Sequence, residues 1–509
     1  MAKRIISMFL VVMMLLTAVL FAACGKKDDG EAGGDTTMDP AVASRLAYES
    51  RYLETYNPES TADTYVEDLE KTYDFERHEF KFLNCEPYCY MYTYLDPDMT
   101  GDVLDDCCFE RNLIAEEKFN ITISEDMELF ENLATKAKNL IYADEDIYDV
   151  MYIPVANLTP LISENLFYDL LEIDELNIDQ KWWDQPLITR NIIEDRLFYA
   201  TSDMHLMAFE GIWCMYFNED MMNDLGLEMP FQLALDGKWT YDKLMEYCAA
   251  AVNLNGDSSY IFDVNGKSRY GLVNFGNAGY LAYAMGAEYA SRDENGRYQF
   301  TADTDPHFTA VWESIIDFFG PDNGMQLTAS NIDLDPDGYF TVFETNRALF
   351  LHAELKGAPM LREWEGNFGL MPQPKYDENQ ESYNSNIFGN CLSFCIPNTN
   401  TELERTGIIV DYLTYESYRS LLPRYYDIHV ALKSLERQES IEVLKLIRGT
   451  RGCEVSVPYG WTGDLNTALR TITLKNEKSI ASTIQTYKDK IVANINATYA
   501  EYPDLNHVD

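Results

Sequence analysis

At 509 residues this chain exceeds what one hydrophobic core supports, so two or more domains are expected. Its 85 acidic and 39 basic residues leave a formal charge of −46, which repels nucleic acid and anionic lipid and disfavours a polyanionic ligand outside a local basic pocket; an acidic, solvated surface accounts for the rest. Apolar residues make up 46% of the chain, as in globular rather than disordered proteins.

Lys3 and Arg4 precede an apolar run from Ile5 to Ala23 that ends in small residues, so residues 1–23 read as a signal peptide. Phe21-Ala22-Ala23-Cys24 resembles a bacterial lipobox, which implies a diacylated Cys24 as the mature N-terminus. An uncut signal anchor is the alternative, since the run is almost long enough to span a bilayer. Residues 24–77 then form the lipidated cysteine, a Gly-, Lys- and Asp-rich tether to Pro40 and an acidic segment without assigned function. Two acyl chains are what stable attachment needs. Of the 10 cysteines, those after Cys24 lack the repeated spacing of zinc ribbons; buried free thiols are expected, with one or two disulfides as the alternative.

Along the body, Phe80–Asn84 reads as a strand, Phe109–Phe119 as a helix, Asn120–Ser124 as a strand, Leu129–Ile141 as a helix, and Tyr148–Ile153 as a strand ending at Pro154. Alternation of this kind predicts an α/β fold with doubly wound parallel sheets, whose ligands lie at the carboxyl ends of the strands. The loops that begin at Asn84 and Pro154 are therefore candidate contacts. Trp182-Trp183 can stack on a sugar ring or fill a lobe edge.

Leu197–Tyr199 and Ile212–Phe217 are aromatic-rich runs predicted as strands, with the polar Ser202–His205 between them. A helix follows, with Asn218 as its cap and Gly226 as its left-handed stop. Thr240 then caps a second helix whose Leu244, Tyr247, Cys248 and Ala251 form one buried stripe. Further on, Tyr270–Phe275 is a strand, Leu281–Gly286 a helix, and Glu402–Thr414 a helix. Leu465, Leu469 and Ile472, then Ile480 to Tyr499, have helical spacing.

The order strand, short crossing, strand, capped helix, Gly, Pro, Trp-Thr and helix over Arg196–Leu244 resembles the middle of family 1 extracellular solute-binding proteins, the maltose-binding relatives. The resemblance implies a periplasmic-binding-protein-like fold of two lobes joined by a hinge. Residues 78–200 with 372–425 would form the first lobe, 201–371 with 426–509 the second, and Ala200–His205 the crossing that bends. It further implies a monomeric, extracytoplasmic lipoprotein on the outer face of the bacterial membrane. Such a protein delivers a small molecule, here a carbohydrate, to ABC permease subunits and performs no catalysis. Two rivals stay open: a surface glycan-active enzyme, and a receptor for a sensor kinase.

By the same resemblance the ligand would meet Asn84, Glu86, Tyr88, Pro154 and Asn157 from the first lobe, and Phe275, Asn277 and Glu354 from the second. Trp461, which precedes the penultimate helix, stands where the family stacks an aromatic on sugar. Trp182, Asp203 and Trp213 complete the candidate set. Asp333, Asp335, Asp337 and Glu344 satisfy the spacing of a calcium-binding loop, although Pro336 is awkward inside one; a structural calcium is the only cofactor the sequence suggests. Six scattered histidines and the lack of a nucleophile-elbow or phosphate-loop motif give enzymatic chemistry little support.

Overall fold

A computed structural model describes residues 73–86, 94–180, 182–276, 278–328, 338–387, 389–425 and 437–502. The signal peptide, Cys24 and the tether lie outside the described residues, as do Tyr88, Asn277, Asp333, Asp335 and Asp337. No helix among the described residues is long and apolar enough to cross a membrane.

The strands, in chain order, are β1 (His78–Cys85), β2 (Ile121–Glu128), β3 (Val150–Pro154), β4 (Trp213–Asn218), β5 (Tyr270–Asn274), β6 (Ala290–Arg292), β7 (Tyr298–Phe300), β8 (Gln326–Thr328), β9 (Ala348–Glu354), β10 (Phe368–Met371), β11 (Ser385–Asn386), β12 (Leu392–Cys395) and β13 (Arg451–Gly452). They build two main sheets. The first has the order β12-β3-β1-β2, with β1 parallel to β2 and β3, and β12 antiparallel to β3. The second has the order β10-β4-β9-β5-β8, with β5 parallel to β9 and β8, and β4 antiparallel to both β9 and β10. Helices cover these sheets, so the inner strands are mostly apolar, and every residue of β3, β4, β5 and β9 is buried. The fold is thus α/β with two mixed, doubly wound sheets, as the alternation predicts.

Two local expectations are corrected. The helix predicted from Phe109 starts at Val103, because the Asp102 carboxylate accepts from the Leu104 amide at 2.8 Å; the helix ends at Phe119, and Asn120 turns left-handed with φ 51°. Leu197–Tyr199 is not a strand. Its backbone is satisfied locally instead, the Leu197 amide by the Asp169 carboxylate at 3.0 Å and the Leu197 carbonyl by the Leu170 amide at 2.7 Å.

The stretch that follows forms as expected. Asn218 Oδ1 accepts from the Met221 amide at 2.8 Å to open the helix Glu219–Leu225, and Gly226 closes it at φ 65°. Thr240 occupies the cap position of the helix Tyr241–Ala251 without a side-chain hydrogen bond, and Leu244, Tyr247, Cys248 and Ala251 are its buried face. That face presses on β5 so closely that a Cβ at Gly271 would lie 2.4 Å from the Cβ of Cys248 and 2.6 Å from the Met325 carbonyl oxygen. Gly271→Ala is accordingly expected to cost about 1–3 kcal/mol, read as a lower urea midpoint with an unchanged slope.

The chain leaves the first sheet after β3, returns through β11 to β12, and leaves again after the helix Leu403–Glu416. Buried Arg111, on the helix Val103–Phe119, ties these passages together. It donates to the Ser417 hydroxyl at 2.9 Å, to the Leu95 carbonyl at 2.9 Å and to the Met204 carbonyl at 3.5 Å. Among the described residues, Cys107, Cys108, Cys214, Cys248, Cys395 and Cys453 carry free thiols; these and Cys85 and Cys391 are buried, except the half-buried Cys453.

Candidate functional site

The carboxyl ends of the parallel strands carry the site on both sheets. On the first sheet, buried Asn84 is the penultimate residue of β1; its amide donates to Glu125 at 2.9 Å and its Oδ1 accepts from the Cys85 amide at 2.8 Å. Glu125 also accepts from the Leu95 and Asp96 amides at 3.1 Å. Asn84 and Glu125 therefore fix the chain at Cys85 and again at Leu95 and Asp96. Burial raises the Glu125 carboxyl above its usual range, while the hydrogen bonds from Asn84, Leu95 and Asp96 oppose that shift. Glu86 is exposed beyond the strand end.

Strand β3 ends at Pro154, and the next two amides join the return segment: Val155 donates to the Cys391 carbonyl at 2.9 Å and Ala156 to the Gly389 carbonyl at 3.1 Å. Asn157 follows, half-buried. On the second sheet, β4 starts at Trp213 directly opposite Glu354, the last residue of β9. The Trp213 ring lies 4.8 Å from that of Tyr280 and 4.8 Å from that of His352, and its indole N–H has no hydrogen-bond partner. Tyr280 is half-buried in the helix Ala278–Ala284, and its hydroxyl faces Glu354, Cys391 and the Gly389 backbone. Burial first, and then the Glu354 carboxylate, raise the Tyr280 hydroxyl far above the ordinary phenol range, so it stays a proton donor.

Gly389 and Cys391 thus bring the Pro154 loop of one sheet beside the Trp213, Tyr280 and Glu354 group of the other. Burial pushes the His352 imidazole down to about 3, so the ring is neutral at working pH and has little basicity. Phe275 follows β5 and is 45% exposed, with its ring 5.9 Å from that of Tyr339. What the described part of this arrangement offers is aromatic faces with carboxylate, amide and phenol hydrogen-bonding groups between them, the mix that suits a concave small-molecule site.

Three candidates lie elsewhere. Trp182 is buried against the helix Leu403–Glu416, its indole N–H donating to Asp411 at 2.7 Å and its ring edge-on to Tyr415. Trp461 is buried under the C-terminal helices; it donates to the Thr498 hydroxyl at 2.9 Å and stacks on Tyr459 at 5.1 Å. Asp203 is buried beside Arg451 in the crossing. Glu344 ends the helix Gly338–Glu344, and no group of three or more metal-ligating side chains is present among the described residues.

Sequence reasoning missed Tyr280 and His352. His352 was accessible, because it is two residues before Glu354 on β9 and side chains two apart share a strand face. Tyr280 carries no such signal; it is one residue in a helix that follows a strand.

No family model and no curated protein matches the sequence. Solved structures do match the fold. A cyclo/maltodextrin-binding protein complexed with maltotetraose superposes with a TM-score of 0.56 at 12% identity, over 83% of this chain and 97% of the other. The galacto-N-biose-/lacto-N-biose I-binding protein of the ABC transporter from Bifidobacterium longum, in complex with lacto-N-biose, gives 0.55 at 10% identity, over 84% and 98%. An ABC substrate-binding protein from Listeria monocytogenes in complex with cycloalternan gives 0.54 at 13% identity, over 84% of this chain and 100% of that one. The fold is therefore that of the periplasmic-binding-protein-like solute-binding proteins, two α/β lobes joined by crossing segments.

Proposed function

We propose that this chain is an extracytoplasmic receptor that binds an uncharged oligosaccharide between its lobes and delivers it to an ABC importer. The observation that carries the reading is the meeting, at Gly389 and Cys391, of the Pro154 loop with the Trp213, Tyr280 and Glu354 group. Aromatic faces take the apolar faces of sugar rings, and carboxylate, amide and phenol groups take hydroxyls. Carboxylates at the site and a net charge of −46 disfavour an anionic sugar. The similar structures hold maltotetraose, lacto-N-biose and cycloalternan, which supports a carbohydrate as cargo.

Residues 78–200 with 372–425 form one lobe in this reading, and 201–371 with 426–509 the other. Closure over ligand shifts the population toward a form that docks on permease subunits. After removal of the signal peptide, a diacyl group on Cys24 anchors the monomer to the outer face of the membrane. The protein carries out no catalysis, and a calcium ion at residues 333–344 has only its sequence spacing in support.

A thermal-shift screen of the detergent-solubilised chain tests the reading. A neutral oligosaccharide at about 100 times its Kd is expected to add about 2.7 kcal/mol to stability and raise the melting temperature, because it binds only the native state. If a peptide or amino acid raises it and no sugar in the panel does, carbohydrate is not the cargo.

A further inference from the structure

Arg451 stands where three parts of the molecule meet. Its own strand, β13, pairs in parallel with β11 on the return crossing, Ser385 opposite Arg451 and Asn386 opposite Gly452. Its Nε donates to Asp184 Oδ2 at 2.6 Å, just ahead of the helix Gln185–Asn191. Its second guanidinium nitrogen lies 3.9 Å from Asp203 Oδ1, and the guanidinium sits 4.5 Å from the Phe209 ring; both of those residues belong to the outgoing crossing. The group is closed to solvent, with Arg451 10% exposed and Asp203 4%. One side chain from the C-terminal part of the second lobe thus grips both crossings and the first lobe.

We propose that Asp184, Asp203 and Arg451 form a clasp across the hinge that loosens as pH rises towards neutrality and so sets how freely the two lobes move. This rests on the reading that the lobes move. Burial pushes the Asp203 carboxyl up to about 7; Arg451 and Arg448 oppose that shift, and Asp184 adds to it. These are the charged groups that face it. A carboxyl whose pKa is raised by burial binds its proton more tightly in the closed-up arrangement than in water. Below neutrality Asp203 is protonated and the clasp rests on the Arg451–Asp184 pair. As pH rises towards neutrality, an arrangement that lets water reach Asp203 releases the proton that the closed one still holds, so the crossings loosen.

Hydrogen exchange of the full, unliganded chain tests the clasp. The amides read are those of residues 200–204 and 385–387, corrected for the intrinsic pH dependence of exchange. Protection there is expected to fall about tenfold between pH 6 and 8 and then to level off, because up to about pH 7 the closed arrangement holds an Asp203 proton that the water-exposed one has already released. Asp203→Asn, which cannot ionise, should hold its protection constant. Buried Glu454, also pushed up to about 7 by burial, is unchanged in that variant, so the difference between the two proteins isolates Asp203. If Asp203→Asn does not accumulate, Arg451→Lys serves: weakening the cation that opposes the raised pKa moves the midpoint of the protection change upward. Protection in the wild type that does not vary with pH, a variation that persists in Asp203→Asn, or an unmoved midpoint in Arg451→Lys overturns the proposal. No ligand enters the measurement, so a failed sugar screen and a failed clasp are separate outcomes.

Discussion

Trp213→Ala is expected to abolish sugar-induced stabilisation and to lower the stability of the free protein by about 3–5 kcal/mol. The ring is 1% exposed and fills the space between Tyr280 and His352 at the end of β4, so its loss leaves a cavity as well as a missing aromatic face. Denaturation followed by circular dichroism measures the first loss and calorimetric titration with the oligosaccharide the second. Phe275→Ala is the contrast. Its ring is 45% exposed, so truncation should weaken binding with a stability change within about 0.5 kcal/mol. A Trp213→Ala protein that binds sugar with unchanged affinity would remove this group from the site.

Arg111→Ala should be comparably severe without touching ligand. The guanidinium is 2% exposed, and its removal leaves the Leu95 carbonyl and the Asn112 and Ser417 side chains short of a buried donor. Hydrogen bonds from a charged group contribute about 1.5–3 kcal/mol each, so a loss of about 3 kcal/mol or more is expected. Because Arg111 also reaches the Met204 carbonyl and the Ser417 hydroxyl, the damage should spread to the crossings. Limited proteolysis should cut near residues 200–206 faster in the variant than in the wild type. Equal cutting with unchanged stability would show that those bonds carry little.

Much of the scaffold was legible because inner strands of a covered sheet are continuous apolar runs and the helices between them bury one stripe. β3 and β4 and the helix Tyr241–Ala251 were readable for that reason. Leu197–Tyr199 has the same composition but no partner strand, and composition cannot distinguish a buried loop from a strand. The site was harder. A tryptophan stacks on ligand or on its neighbours with the same chemistry, and all three rings are buried; only their hydrogen bonds separate Trp182 and Trp461, whose N–H groups are both satisfied inside the protein, from Trp213, whose N–H is not. Asp184, Asp203 and Arg451 carry no local signal, because residues so far apart in the chain meet only through the fold.

The free thiols make the protein its own gauge of local opening. Cys107, Cys108 and Cys395 lie in or against the first sheet, and Cys214 and Cys248 in or against the second. A buried thiol reacts with a bulky reagent only while its surroundings are open. Mass spectrometry of alkylated peptides would therefore time the breathing of each lobe separately, with no introduced label. Sulfur oxidation during storage would follow the same order, beginning in whichever lobe opens first.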